Sequence, residues 1–236
     1  MIEFQLRTPE YNNTLALQEL NYWASTVGIA TNSGQWRLIL NDFIKDNPLV
    51  FQKVDINLNV SDNLKSYHNW KHMTHVVSVC MQLANYYKLN LIDRYTLFIS
   101  AMFHDYKHSF GQHNDKINID IAIYNLTQKI YPQNVYALNV TGIHKHKWIK
   151  PTIEVTKYPF DNEPITLIEK IIRDADLTMC LSKCPEYFAE GLANELNLPE
   201  GTFSQKTMLE FALSQTLYTL EIKTVLLNLQ ISLCDI

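Results

Sequence analysis

The chain has 236 residues, 47% of them hydrophobic and 19% charged, with a formal net charge of −4. This composition suits a folded chain with a sizeable core and excludes a disordered polymer. The slight acidity and the lack of any basic run exclude a large nucleic-acid footprint, and the four cysteines are too few and too irregular for a disulfide framework, which fits a reducing, cytoplasmic setting.

Taken in chain order, the start "MIEFQLRTPEY" has neither the basic region nor the apolar core of a signal peptide. Residues 1–60 read as helices packed on the rest of one domain. The apolar residues Val76, Val79, Cys80, Leu83 and Ala84 recur at three and four, the period of an amphipathic helix. The same period runs through Tyr95 to His104, Ile117 to Gln128, Thr166 to Ile172, and from Gln205 to about Leu229. Strand alternation is hard to find. Proline marks breaks at Pro48, Pro132, Pro151, Pro159, Pro164, Pro185 and Pro199, so residues 150–164 read as the longest loop. Runs such as "TLFISAMF" are too short to span a bilayer, so no membrane contact is expected. The reading is an all-α single domain over residues 1–236, with no internal repeat.

All eight histidines fall between His68 and His146. "YHNWKHMTHVV" places His68, His72 and His75 at i, i+4 and i+7, which on a helix projects them from one face. "FHDYKHSFGQH" sets His104 and His108 at the same i, i+4 spacing, with His104-Asp105 closing the apolar run "YTLFISAMF". A lone histidine is more often a surface or core residue than a ligand, but three on one face weaken that reading. A carboxylate beside an imidazole at the end of a buried helix is costly without a compensating cation. A mixed histidine and carboxylate set suits zinc, iron, manganese or magnesium. "IEKIIRDADLTMCL" supplies Asp174 and Asp176 within an apolar helical pattern, and Asp176 there needs a partner. Cys180 and Cys184 have no second pair nearby and are read as non-ligating.

The order His72, His104-Asp105, Asp176 resembles the signature of the HD superfamily of metal-dependent phosphohydrolases, over a metal-site core of about residues 67–180. "YHNWKH", "HDYKHSFGQHN" and "ADL" are similar to motifs of its cyclic-nucleotide phosphodiesterase branch. The chain departs from that branch in one extra residue before Gly111, in "LTMC" after Asp176, and in its short length. The resemblance implies an HD-type helical bundle with two divalent metal ions (zinc, manganese, magnesium or iron). His72, His104, Asp105 and Asp176 are the implied ligands, with Asp105 also serving the second ion. It implies His68 as general acid, His108 in support of a ligand or of the second metal, and His75 in a structural or supporting role. "SQKTMLEF" is similar to the segment with the purine-gripping glutamine, which makes Gln205 a substrate residue, alongside Asn114 of the second motif. His144 and His146, in "VTGIHKHKW", read equally as phosphate contacts and as a basic surface patch. The implied substrate is a small anionic phosphoester, a nucleotide of the 3′,5′-cyclic type. Rival readings are an HD phosphomonoesterase or nucleotidase, a non-catalytic nucleotide-binding module, and a di-iron HD oxygenase using His108 or His113. Homo-oligomerisation is left open.

Overall fold

A computed structural model of the chain describes residues 4–8, 12–55, 60–130 and 146–234; the side chains of 54, 55, 60, 61, 129, 130 and 146 are left out of the description. Ten α-helices occur among them: α1 (Asn13–Thr26), α2 (Gly34–Asp46), α3 (Trp70–Tyr86), α4 (Leu91–Phe103), α5 (Asp115–Tyr124), α6 (His146–Glu154), α7 (Leu167–Asp176), α8 (Pro185–Glu195), α9 (Gln205–Ser214) and α10 (Leu220–Cys234). A π-helical turn (Asn125–Ile130) follows α5 and a 3₁₀ turn (Leu177–Leu181) follows α7.

Helix α3 forms the axis of the bundle. Its N-cap Asn69 accepts hydrogen bonds from the Lys71 and His72 backbone N–H groups, and the stretch from His72 to Met81 is buried on every side. A helix apolar all round must be enclosed by others, and α1, α4 and α7 pack against it. Helix α4 is buried from Tyr95 to Phe103, and α6 and α7 cover its other flank. Ala16, Leu20, Trp23 and Ala24 of α1 form the stripe that meets α3.

The mostly helical expectation holds, with three local corrections. Two short strands, β1 (Val50–Asp55) and β2 (Val60–Lys65), form an antiparallel hairpin with Val50 opposite Lys65 and Asp55 opposite Val60. Their apolar residues are too sparse to show an alternation. Pro151 lies inside α6 rather than ending a helix, so the loop after it begins near Val155. The periodic stretch from Gln205 is two helices, parted at 215–219, where the Asp174 carboxylate accepts hydrogen bonds from the Tyr218 N–H at 2.9 Å and the Thr219 N–H at 2.6 Å. Those bonds satisfy donors ahead of α10, which otherwise has no partner for them. Among the described residues, no helix is long and apolar enough to cross a membrane.

Candidate metal centre

Three elements deliver the four candidate ligands to one point. His72 stands in the first turn of α3, fixed by the Asn69 cap. His104 is the C-cap of α4; beyond it the chain tightens, with the His108 N–H donating to the Asp105 carbonyl at 3.1 Å and Lys107 adopting a φ of +62°. The Asn47 side chain accepts from the Lys107 N–H at 2.7 Å and pins this turn. Asp176 ends α7, whose start is secured by a capping box of Thr166 and Glu169.

His72 and Asp176 are 104 positions apart in sequence, yet His72 Nε2 lies 3.1 Å from Asp176 Oδ1, 3.1 Å from Asp105 Oδ2 and 3.3 Å from His104 Nε2. His104 Nε2 is 3.0 Å from Asp105 Oδ2 and 3.3 Å from Asp176 Oδ1. Donors bound at right angles to one ion at about 2.1–2.3 Å are roughly 3.0–3.3 Å apart, so the spacing fits a first coordination shell. His104 Nδ1 lies 2.9 Å from the Ala101 carbonyl, which can only accept; Nδ1 therefore carries a proton, and Nε2 is the nitrogen aimed at the carboxylates. Both histidines are fully buried.

Convergent lone pairs without a positive charge between them repel, and the ionisation of the group reflects this. Burial lowers the His104 pKa, but Asp105 and Asp176 outweigh it and hold it well above the usual imidazole value. Burial likewise works against ionised Asp105 and Asp176, but the histidines beside them hold both carboxyls below the usual range. The same convergence of donors could hold a divalent cation. Two nitrogen and two oxygen donors, with no thiolate, match zinc, iron or manganese.

Beside this nest is a second group that the sequence reading missed in part. Glu195, 2% exposed at the end of α8, accepts hydrogen bonds from the backbone N–H groups of Tyr67 at 2.6 Å and His68 at 3.0 Å through Oε1, and its Oε2 is 2.6 Å from His68 Nδ1. Burial lowers the His68 pKa, but Glu195 and then Asp105 outweigh it, raising it to about 9. His108 stacks on His68 with ring centroids 3.7 Å apart. Burial and the neighbouring His68 charge lower its pKa to about 3, so His108 is neutral. The signal for Glu195 was present: in "EYFAEGLANEL" it falls seven residues after Phe188, on the buried stripe, where a carboxylate needs partners.

Several expected placements need correction. His68 precedes α3, which starts at Trp70, so the three-histidine helical face does not exist. His75 instead reaches Thr178 Oγ1 at 2.9 Å and is outside the four-donor cluster. His108 follows the end of α4, its Nδ1 accepts the Phe110 N–H at 3.1 Å and its Nε2 lies 2.7 Å from Asn118 Nδ2; with His68 and Glu195 it forms a second group of donors close enough to hold an ion. Gln205 donates its amide to the Cys180 carbonyl at 2.7 Å and is not among the cavity-lining residues. Asn114 caps α5 through the Ile117 N–H and does line the cavity. Asp174 serves α10, as described above. Cys180 is buried and Cys184 half-buried, and neither joins a donor cluster. His144 lies outside the described residues, as does the side chain of His146.

The ligand nest and His68 open into one cavity of about 720 Å³, whose walls include Tyr67, His113, Leu177, Met179, Phe203 and Met208. A concave, mostly apolar space with a few converging polar groups is the usual form of a small-molecule site. Neither a family model nor a curated protein matches the chain.

Proposed function

We propose that the chain is a metal-dependent phosphoester hydrolase of the HD type. The observation that carries this reading is the convergence of His72, His104, Asp105 and Asp176 at the floor of a cavity whose next polar group is a charged histidine. A bound divalent ion would supply Lewis acidity to a phosphoryl oxygen and a hydroxide at neutral pH. His72 and His104 would hold it through Nε2, and Asp105 and Asp176 through one oxygen each.

The chain's own residues account for the proton. His68 takes its charge from Glu195, which also grips the His68 and Tyr67 backbone, so the imidazole is fixed in place and stays protonated near neutrality. A positioned imidazolium is suited to protonating a leaving oxygen. His108, stacked on one face, limits rotation of the ring. The apolar walls exclude water around the reacting phosphate and strengthen each charge interaction there. Among the described residues, His68, His108 and Glu195 form a second group of donors close enough to hold an ion beside the four-donor nest; in this reading the His68–Glu195 pair serves as the proton donor instead.

The reading is tested by elemental analysis of purified protein, followed by hydrolysis of bis(p-nitrophenyl) phosphate with manganese, zinc, iron or magnesium added. Bound metal near one equivalent or more, and turnover lost with a chelator, is the expected result. Asp105→Asn should abolish turnover and reduce metal retention at least tenfold, whereas Cys184→Ser should leave metal content as it is. Full turnover in Asp105→Asn overturns the assignment.

A further inference from the structure

The cavity contains a carboxylate that the proposed hydrolysis does not use. Asp115, in the first turn of α5, lines the cavity and is half-buried. Its Oδ2 accepts the Tyr158 backbone N–H at 2.5 Å, which ties the loop after α6 to α5. No described residue donates to Oδ1, and no described lysine or arginine pairs with Asp115. Burial and the charge on Asp105 push its pKa up to about 6.

Part of the wall of the cavity that Asp115 lines is aromatic, and it includes Tyr158, whose backbone Asp115 holds. Tyr158 packs edge-on to Phe160, centroids 5.4 Å apart, and to Phe211, centroids 5.7 Å apart. Arg173 holds the loop beneath them: its Nε donates to the Val155 carbonyl, its NH2 group donates to the Asn162 carbonyl at 2.7 Å, and its guanidinium lies 3.9 Å from the Phe160 centroid. All three rings line the cavity, together with Met208.

Resting on the phosphoester reading, we propose that Asp115 is the specificity-determining residue for the non-phosphate part of the substrate, taking a planar ring with adjacent N–H donors on its edge, of the guanine kind, against Phe160, Phe211 and Met208. A carboxylate only accepts hydrogen bonds, and Tyr158 uses one of its lone pairs, so Oδ1 and the remaining lone pair of Oδ2 face two donors on one edge. An edge with an acceptor in that place, as in adenine, meets lone pair with lone pair. An alkylammonium shares the donor chemistry but would leave the aromatic faces bare, whereas a flat ring covers them.

Calorimetric titration of wild type and Asp115→Asn with guanosine, inosine, adenosine and phosphoethanolamine tests this. The substituted amide would keep an acceptor for the Tyr158 N–H, and a thermal melt confirms that the variant is folded. Wild type should prefer guanosine to adenosine by roughly 10- to 100-fold, the worth of hydrogen bonds to a charged group, with inosine between them because it lacks one donor. In Asp115→Asn the preference should fall to threefold or less. Equal affinity for guanosine and adenosine in wild type, an undiminished preference in the variant, or Asp115-dependent binding of phosphoethanolamine alone overturns the proposal. Nucleoside binding needs no turnover, so the two readings fail separately. Cleavage of bis(p-nitrophenyl) phosphate without a nucleoside preference sinks the Asp115 assignment only. An Asp115-dependent guanosine preference without cleavage under any metal supports Asp115 and sinks the hydrolase reading.

Discussion

Among single residues, the imidazoles divide by what holds their second nitrogen. His104 gives Nδ1 to the Ala101 carbonyl and so presents Nε2 to the ligand nest. His68 gives Nδ1 to Glu195 and keeps a charge. These partners, more than the residue type, set which imidazole is suited to hold an ion and which to carry a proton. If His68 protonates the leaving oxygen, His68→Ala should retain its metal and lose roughly 10²- to 10⁴-fold in turnover on a ribose 3′ ester. The loss should shrink on a nitrophenyl diester, whose leaving group needs no proton. Glu195→Gln should show the same dependence on the leaving group, with a smaller fall, because an amide holds the imidazole without charging it. Steady-state turnover on both esters, with metal content measured alongside, is the check; an equal fall on both leaves His68 with a positioning role only.

Between elements, the site depends on how closely α8 passes the strand-to-helix connection ahead of α3. A Cβ at Gly191 would lie 2.6 Å from the Ser66 carbonyl carbon and 2.7 Å from the Tyr67 nitrogen, both backbone. Only glycine lets α8 come this near, and Glu195 one turn later reaches the Tyr67 and His68 N–H groups because of it. Gly111, at a φ of +81°, sits against the Glu195 carbonyl, where a Cβ would be 1.9 Å away. Gly191→Ala must therefore move backbone rather than a flexible side chain. The expected cost is about 1–3 kcal/mol, or a fall in melting temperature of roughly 3–10 °C, together with a turnover loss resembling that of Glu195→Gln. Calorimetry and turnover on the ribose ester measure the two, and an unchanged melting temperature would show that α8 can shift freely.

Across the molecule, the buried neutral histidines set the response to acid. Burial, helped by the neighbouring His72 ring, lowers the His75 pKa to about 3, and burial with the His68 charge does the same for His108. Below the ordinary imidazole pKa of about 6.5 the unfolded chain takes up a proton at each position, while the folded chain does not until about pH 3. Stability is therefore lost as pH falls through this window, by roughly 1 kcal/mol per pH unit for each histidine. His75→Gln should reduce that slope by one proton without altering stability near pH 7.5 as steeply. Urea unfolding of chelator-treated wild type and variant from pH 4.5 to 7.5 gives the slopes, and parallel curves would mean that His75 is charged in the fold.

The helical class was legible in the periodicity of the residues, and the four candidate ligands in their resemblance to the HD signature. Helical periodicity is a local property of the chain, and histidine or aspartate at the end of an apolar run is costly enough to demand a cation. That cost singled out His104-Asp105 and Asp176, whereas the full set with His72 came from the resemblance to the HD signature; α3, α4 and α7 bring the donor atoms of all four within 4.8 Å of one another. Which groups face those ligands came only from the folded chain. His68 left its expected helix because Asn69 caps α3 one residue later, and His75 turned to Thr178. Glu195 became the partner of His68 through a contact 127 positions away in sequence, made possible by a missing Cβ at Gly191. Asp115 entered the cavity because the loop after α6 docks on it. Such pairings depend on close approach between distant elements, and no spacing within one segment of chain encodes that approach.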